Sequence, residues 1–233
     1  MKQQPAFELR DVSKKLGDTL ALDAVSLCVN PGETVGIVGP NGAGKTTLFR
    51  LILGLLKPDS GSISLLDGSP SCPSSRKRVG FCFDGDGLYR GLNAHENLEF
   101  FRHAYEVEVP LDSLMGLLGV SEFGVKSVSK FSRGMRKRLA LTRSLLCSPD
   151  LLLLDEPLLG LDPDGQHELV EVLRATSPNR TVLVSSHDLN STESFCDRIV
   201  VLNHRILFDG SLQSFLTKGS SMYSAYQCVL GSA

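Results

Sequence analysis

The chain has 233 residues, 42% of them apolar, with 24 Lys plus Arg against 26 Asp plus Glu and a formal net charge of −2. That balance supports a packed core and excludes a disordered polyelectrolyte. It also argues against a non-specific nucleic-acid binder, which needs a large cationic excess to neutralise phosphates.

In chain order, residues 7–12 read as a strand, 14–19 as a polar loop around Gly17, and 24–29 as a second strand, then the sharp Pro31-Gly32 turn. Residues 34–38 form a short apolar run suited to a buried strand of a parallel sheet. A helix is expected over 46–56, with Leu48, Leu51, Ile52 and Leu55 at helical spacing. From about 85 to 145 the pattern turns helical. Asn93-x-x-Glu96 reads as a capping box opening a helix through Tyr105, with Leu98, Phe101 and Tyr105 on one face. Pro110 ends that segment, a further helix begins over 111–118, and Ser132 opens a third. On this last one Met135, Leu139 and Leu145 are the apolar positions, and Arg136, Lys137 and Arg138 read as a solvated basic face.

Strand–helix alternation resumes after 150. Strands are expected over 151–154 and 181–184, helices over 165–174 and 189–195, and a hairpin of 199–202 with 206–208 around Asn203-His204. The tail from Gly219 carries no clear element. The sum is a parallel α/β body interrupted by a helical insert. The longest strongly apolar runs, 51–56 and 151–154, fall far short of the roughly 20 residues that cross a bilayer. The N-terminus lacks the apolar centre of a signal peptide. Six cysteines without a C-x-x-C pair read as small buried hydrophobes in a reducing compartment.

Chemistry concentrates at two places. Gly39-Pro40-Asn41-Gly42-Ala43-Gly44-Lys45-Thr46, then Thr47, matches the P-loop pattern G-x-x-x-x-G-K-[ST], between an expected strand and an expected helix. Glycines let successive backbone N–H groups turn inward on an anion, and the helix N-terminus adds positive partial charge. Lys45 brings a mobile full charge to the β- and γ-phosphates, and the Thr46 hydroxyl is a ligand for Mg²⁺. The four leucines 151–154 lead directly into Asp155-Glu156, placing two carboxylates at the carboxyl end of a buried strand, where α/β sheets bind ligands. Beside a P-loop, Asp155 suits the Mg²⁺ water shell and Glu156 the polarisation of an attacking water.

At this point the residues resemble the nucleotide-binding subunit of an ATP-binding cassette (ABC) transporter. Phe131-Ser132-Arg133-Gly134-Met135 sits where that family carries its Leu-Ser-Gly-Gly-Gln signature, shortly before the Asp-Glu strand. Leu159-Gly160-Leu161-Asp162 resembles the D-loop and Ser185-Ser186-His187-Asp188 the switch-histidine loop, with order and spacing agreeing from about 7 to 212. The resemblance implies a single P-loop NTPase domain over 1–233: an ABC ATPase core with a mainly parallel sheet, an N-terminal antiparallel β part, a helical subdomain at about 85–146 and a short tail at 213–233. It implies ATP and Mg²⁺ as ligands, and a homodimer or heterodimer of ATPase subunits. It also implies a separate transmembrane permease partner, a place at the cytoplasmic face of a membrane, and transport in the direction of export. In such a dimer Ser132 and the N–H groups around Gly134 of one subunit face the γ-phosphate held by the other's P-loop. His187 contacts the same phosphate and steadies Glu156. Asp162 joins the nucleotide contacts by the same resemblance, although beside Pro163 it also suits a turn or helix cap.

Three positions depart from the family pattern. Leu16 stands where an aromatic residue stacks on adenine, so base selectivity should weaken. Asp84 stands in place of the glutamine that links Mg²⁺ to the transporter contact and is expected to reach the metal through water. Arg133 replaces the first signature glycine, with its guanidinium expected in solvent. The surface at 84–90 and the 93–105 helix is the expected dock for a cytoplasmic helix of the permease, with Gly87-Leu88-Tyr89 as an exposed apolar run. The alternatives are a soluble ABC-type ATPase in DNA repair, cluster assembly or translation, and a regulatory cassette. The insert of roughly 60 residues shows no sustained heptads, and one P-loop is present.

Overall fold

The computed structural model describes residues 4–83, 85–176, 180–187 and 189–231. Its elements, in chain order, are β1 Phe7–Leu16, β2 Thr19–Val29, β3 Thr34–Val38, α1 Lys45–Ile52, β4 Ser60–Leu65, α2 Pro73–Arg76, β5 Val79–Cys82, α3 Ala94–Tyr105 and α4 Leu111–Leu117. Then come α5 Arg133–Ser144, β6 Leu151–Asp155, α6 Pro163–Thr176, β7 Thr181–Ser186, α7 Leu189–Phe195, β8 Arg198–Asn203, β9 Arg205–Ser211, α8 Leu212–Leu216 and α9 Met222–Gly231.

Strands β2-β1-β4 make an antiparallel sheet, and β5-β6-β7-β3-β8-β9 make a second sheet that is parallel except for its last pair. The central strands of the second sheet are buried at every position and mostly apolar because both of their faces are covered. Alternation sorts their side chains between two cores. Leu151, Leu153, Leu183, Val35 and Ile37 point toward α1 and the antiparallel sheet, among Leu9, Leu48 and Phe49. Leu152, Leu154, Val182, Val184 and Val38 point to the other side, with Leu98, Leu139 and Leu173. Parallel register sets Asp155 opposite Ser185, and Val38 opposite Ser186. The carboxyl ends of β6, β7 and β3 therefore open at one level, and each strand hands its successor loop to the same edge.

The helical insert keeps its expected start. The Glu96 N–H donates to Asn93 Oδ1 at 2.9 Å, and the Asn93 N–H donates to Glu96 Oε2 at 2.8 Å. Leu98 is fully buried, with Phe101 and Tyr105 packed beside it on the same helix face. The β8–β9 hairpin is also where the pattern puts it. Among the described residues no helix is long and apolar enough to cross a membrane.

Several expectations change. The first strand runs on to Leu16 instead of ending at residue 12, because Lys14, Lys15 and Leu16 pair with β2 while their side chains stay at least partly in solvent. The helix after the P-loop ends at Ile52, and Leu55 is 58% exposed. Strands β4 and β5 are additions to the expected elements. The tail after residue 219 is not featureless either: α9 buries Met222, Ala225 and Val229 on one face. Cys82 and Cys196 are buried, but Cys28 and Cys228 are exposed, so the buried-hydrophobe reading fails for those two. Leu88 is buried rather than part of an exposed apolar run, and Tyr89 stacks edge-on against Phe100 at 4.5 Å beside it. Most consequentially, Lys137 is not on a solvated face: it is only 5% exposed, because its position on α5 turns toward β6.

The capping box yields a stability prediction. Asn93→Ala should lower unfolding free energy by about 1 kcal/mol, read as a lower urea midpoint at unchanged slope. An unchanged midpoint would show that the box contributes nothing to the fold.

Candidate active site

The loop between β3 and α1 is shaped by backbone that only glycine adopts easily. Gly42 has φ 84° and Gly44 φ 99°, and a Cβ on Gly44 would collide with the Ala21 carbonyl oxygen. This turn aims the N-terminus of α1 into a cleft of about 510 Å³ bounded by Asn41, Gly42, Ala43, Gly44, Lys45, Thr46 and Thr47. Leu16, Asp155 and Glu156 close its other sides. The Lys45 ammonium is buried at the cleft floor, donating to the Gly39 carbonyl at 2.7 Å and the Pro40 carbonyl at 3.2 Å, with Glu156 Oε1 at 3.8 Å. Burial pushes its pKa below the ordinary lysine value, against the opposing pull of Glu156 and Asp155.

The two carboxylates are held differently. Asp155, 3% exposed, accepts the Thr46 hydroxyl at 2.8 Å on one oxygen and the Ser185 hydroxyl at 2.5 Å on the other. Hydroxyl and carboxylate oxygens meeting at that distance form an all-oxygen donor set, which fits a hard divalent cation such as Mg²⁺. Asp84, the other expected metal contact, lies outside the described residues, as does Asp188 of the switch loop.

Glu156 follows β6 with its backbone in the left-handed region, φ 51°, a conformation that costs a non-glycine residue about 1–3 kcal/mol. Several bonds hold it there. Its N–H reaches the Ser185 carbonyl and hydroxyl, at 3.2 and 3.0 Å. Its carbonyl accepts from the Lys137 ammonium at 3.1 Å and from the Leu159 N–H at 3.2 Å. The carboxylate accepts the His187 N–H at 3.3 Å and the His187 ring at 2.8 Å. Since a carboxylate only accepts, that ring contact places a proton on Nδ1. The result is a fixed carboxylate with a lysine on one side and a histidine on the other, at the edge of the cleft that the glycine loop lines.

Of the expected site residues, the P-loop, Leu16, Asp155, Glu156 and His187 come together here. Ser132, Gly134 and Asp162 do not. They line a second cleft of about 370 Å³ on the same chain. There the Ser132 hydroxyl caps α5 by accepting the Met135 N–H at 3.2 Å, and Asp162 Oδ1 caps α6 by accepting the Gly165 N–H at 2.9 Å. The cap reading of Asp162 is therefore realised. Arg133 is exposed, and its guanidinium lies against the backbone of Gly160, in the space a side chain there would fill. Sequence reasoning misses Ser185, whose hydroxyl donates to the Asp155 carboxylate and accepts the Glu156 N–H, and Lys137. Ser185 stands within the Ser-Ser-His-Asp run, whereas nothing local distinguishes Lys137 from its arginine neighbours.

Comparison with known proteins gives a consistent picture. The ABC transporter family profile matches residues 22–159. The chain is 38% identical over 212 residues to the Nod factor export ATP-binding protein I of Sinorhizobium fredii, covering 87% of this chain and 62% of that protein. It thus spans less than two thirds of that relative's length. Among solved structures, an ATP-binding subunit of an ABC transporter superposes with TM-score 0.85 at 28% identity, over 97% of this chain and 99% of the other. A dimeric ATP-binding cassette in a post-hydrolysis state, bound to ADP and Pi, superposes with TM-score 0.77 at 27% identity, over 88% and 98%.

The buried ammonium sets up a trade between function and stability. Because burial lowers the Lys45 pKa, the unfolded chain binds that proton more tightly than the folded one. This group's contribution to stability is therefore least favourable at neutral pH, and it improves as pH climbs through the lowered folded value toward the ordinary lysine range. Lys45→Met should accordingly leave stability at pH 7 unchanged or higher in chemical denaturation. A loss of more than about 1 kcal/mol would show that its bonds to Gly39 and Pro40 outweigh the burial cost.

Proposed function

Because the chain belongs to the ABC transporter family, we propose that it is the ATP-binding and ATP-hydrolysing subunit of a transporter. It powers movement, in the direction of export, through a separate transmembrane partner. The observation that carries the reading is Glu156, fixed between Lys45 and His187 at the mouth of the P-loop cleft.

The glycine loop, the α1 N-terminus and Lys45 hold the triphosphate. Thr46 and Asp155 are the oxygen donors for Mg²⁺, which when bound neutralises charge on the β- and γ-phosphate oxygens. Glu156 takes the proton from a water that attacks the γ-phosphorus as the bond to the β,γ-bridging oxygen breaks, releasing ADP and phosphate. The His187 N–H keeps the carboxylate oriented for that transfer. Leu16, 43% exposed at the cleft rim, gives adenine an aliphatic contact in place of a stacked ring.

The second cleft supports a dimeric enzyme. Ser132 and Gly134, at the start of α5, lie in a cleft separate from this chain's own P-loop cleft and suit a phosphate presented by another subunit. Each chain carries both clefts, so two copies of this chain suffice, and the solved dimeric cassette with ADP and Pi supports that arrangement. The exporter name of the S. fredii protein supports the direction. The permease docks from the cytoplasmic side at the segment around Arg90 and α3, where Tyr89 and Phe100 expose an aromatic pair.

Glu156→Gln should retain ATP binding in an equilibrium titration while cutting steady-state turnover by about 100-fold or more. Unaltered turnover would remove Glu156 from its role. Leu16→Tyr should tighten ATP binding severalfold, within the roughly 1–3 kcal/mol available to base stacking. An unchanged affinity would place adenine elsewhere.

A further inference from the structure

Lys137 has no part in the reaction as assigned so far. It sits on α5 five residues after Ser132, about 7.5 Å further along the helix axis, so the helix whose start faces the second cleft also carries this side chain. It is 5% exposed, and its ammonium donates to the backbone carbonyl of Glu156 at 3.1 Å. Burying an ammonium is costly unless its hydrogen bonds offset the lost hydration. One acceptor here is the carbonyl of the residue whose left-handed backbone directs the reacting carboxylate. Ser185, Leu159 and His187 also hold Glu156, and all three come from the strand ends and loops of the parallel sheet. The Lys137 bond reaches in from α5 instead.

We propose that Lys137 is a positioning residue that ties the signature helix to the reacting carboxylate. It holds the Glu156 carbonyl so that a phosphate seated against Ser132 and Gly134 biases the orientation of Glu156 in the P-loop cleft of the same chain. The two ATP sites of the dimer are then mechanically linked within each subunit: the triphosphate bound by one copy is felt by the catalytic carboxylate of the other. This rests on the ATPase reading above and adds a residue to it. Small displacements suffice, since misplacing a reacting group by about 1 Å can cost about 100-fold in rate.

The test uses the purified chain with ATP and Mg²⁺, comparing wild type with Lys137→Met and Lys137→Arg. Methionine keeps the length and fills the space without the charge, and arginine keeps a donor. For Lys137→Met we expect kcat to fall about 10- to 100-fold, with KM and equilibrium ATP affinity within about twofold of wild type. Its melting temperature should be unchanged or higher, because an apolar side chain replaces a buried charge. Lys137→Arg should recover most of kcat. Wild-type kcat in the methionine variant would overturn the inference while leaving the ATPase reading intact. So would parallel losses of kcat, ATP affinity and melting temperature, which mark a packing role, or an arginine variant no better than methionine. Absence of ATP turnover in the wild-type chain itself would overturn both.

Discussion

One short buried strand governs the site. Leu151–Asp155 is flanked on both sides in parallel register and covered on both faces, so its only freedom is to project the residue at its carboxyl end. That residue is Glu156, in a backbone conformation that glutamate does not favour on its own. The strain is sustained by Ser185 from the neighbouring strand end, His187 from the next loop and Lys137 from the helical insert. Because β3 delivers the P-loop at the same level of the sheet, this arrangement sets the Glu156 carboxylate against the glycine loop.

Electrostatics gives the site its direction. A buried ammonium with a lowered pKa sits near two carboxylates at the floor of a cleft formed around a helix N-terminus. Such a floor is poorly satisfied by water and well satisfied by a polyphosphate that brings negative charge and a divalent cation. The second cleft has the complementary character: a capped helix start, with Ser132 and Gly134 at its rim and Arg133 laid over Gly160. On the proposed reading, these clefts are two half-sites that a second subunit completes.

Much of this is legible in the amino-acid sequence, and the reason is local chemistry. The P-loop, the leucine run ending in Asp155-Glu156, and the Asn93–Glu96 cap each state their structure within a few residues. The features that escape such a reading depend on distant neighbours. Strand β4, Ser-Gly-Ser-Ile-Ser-Leu, is polar because it pairs at the edge of a half-exposed sheet, and its sequence looks like a loop. The charges of β1 hide its last residues, whose pairing comes from β2. Helix α9 shows its apolar face only once α7 and β9 exist to receive it. Lys137 lies between two arginines, and only the packing of α5 on the end of β6 separates it from them. The glycine loop and the paired carboxylates are visible as motifs, whereas the residues that hold those motifs in place are not.

The most direct test of this account is the mass of the Glu156→Gln chain in solution, measured by light scattering with and without ATP and Mg²⁺. If each chain carries two half-sites that complete one another, ATP should convert it to a species of two chains holding one ATP per chain. A nucleotide-loaded chain that stays at the mass of a single copy would contradict the account.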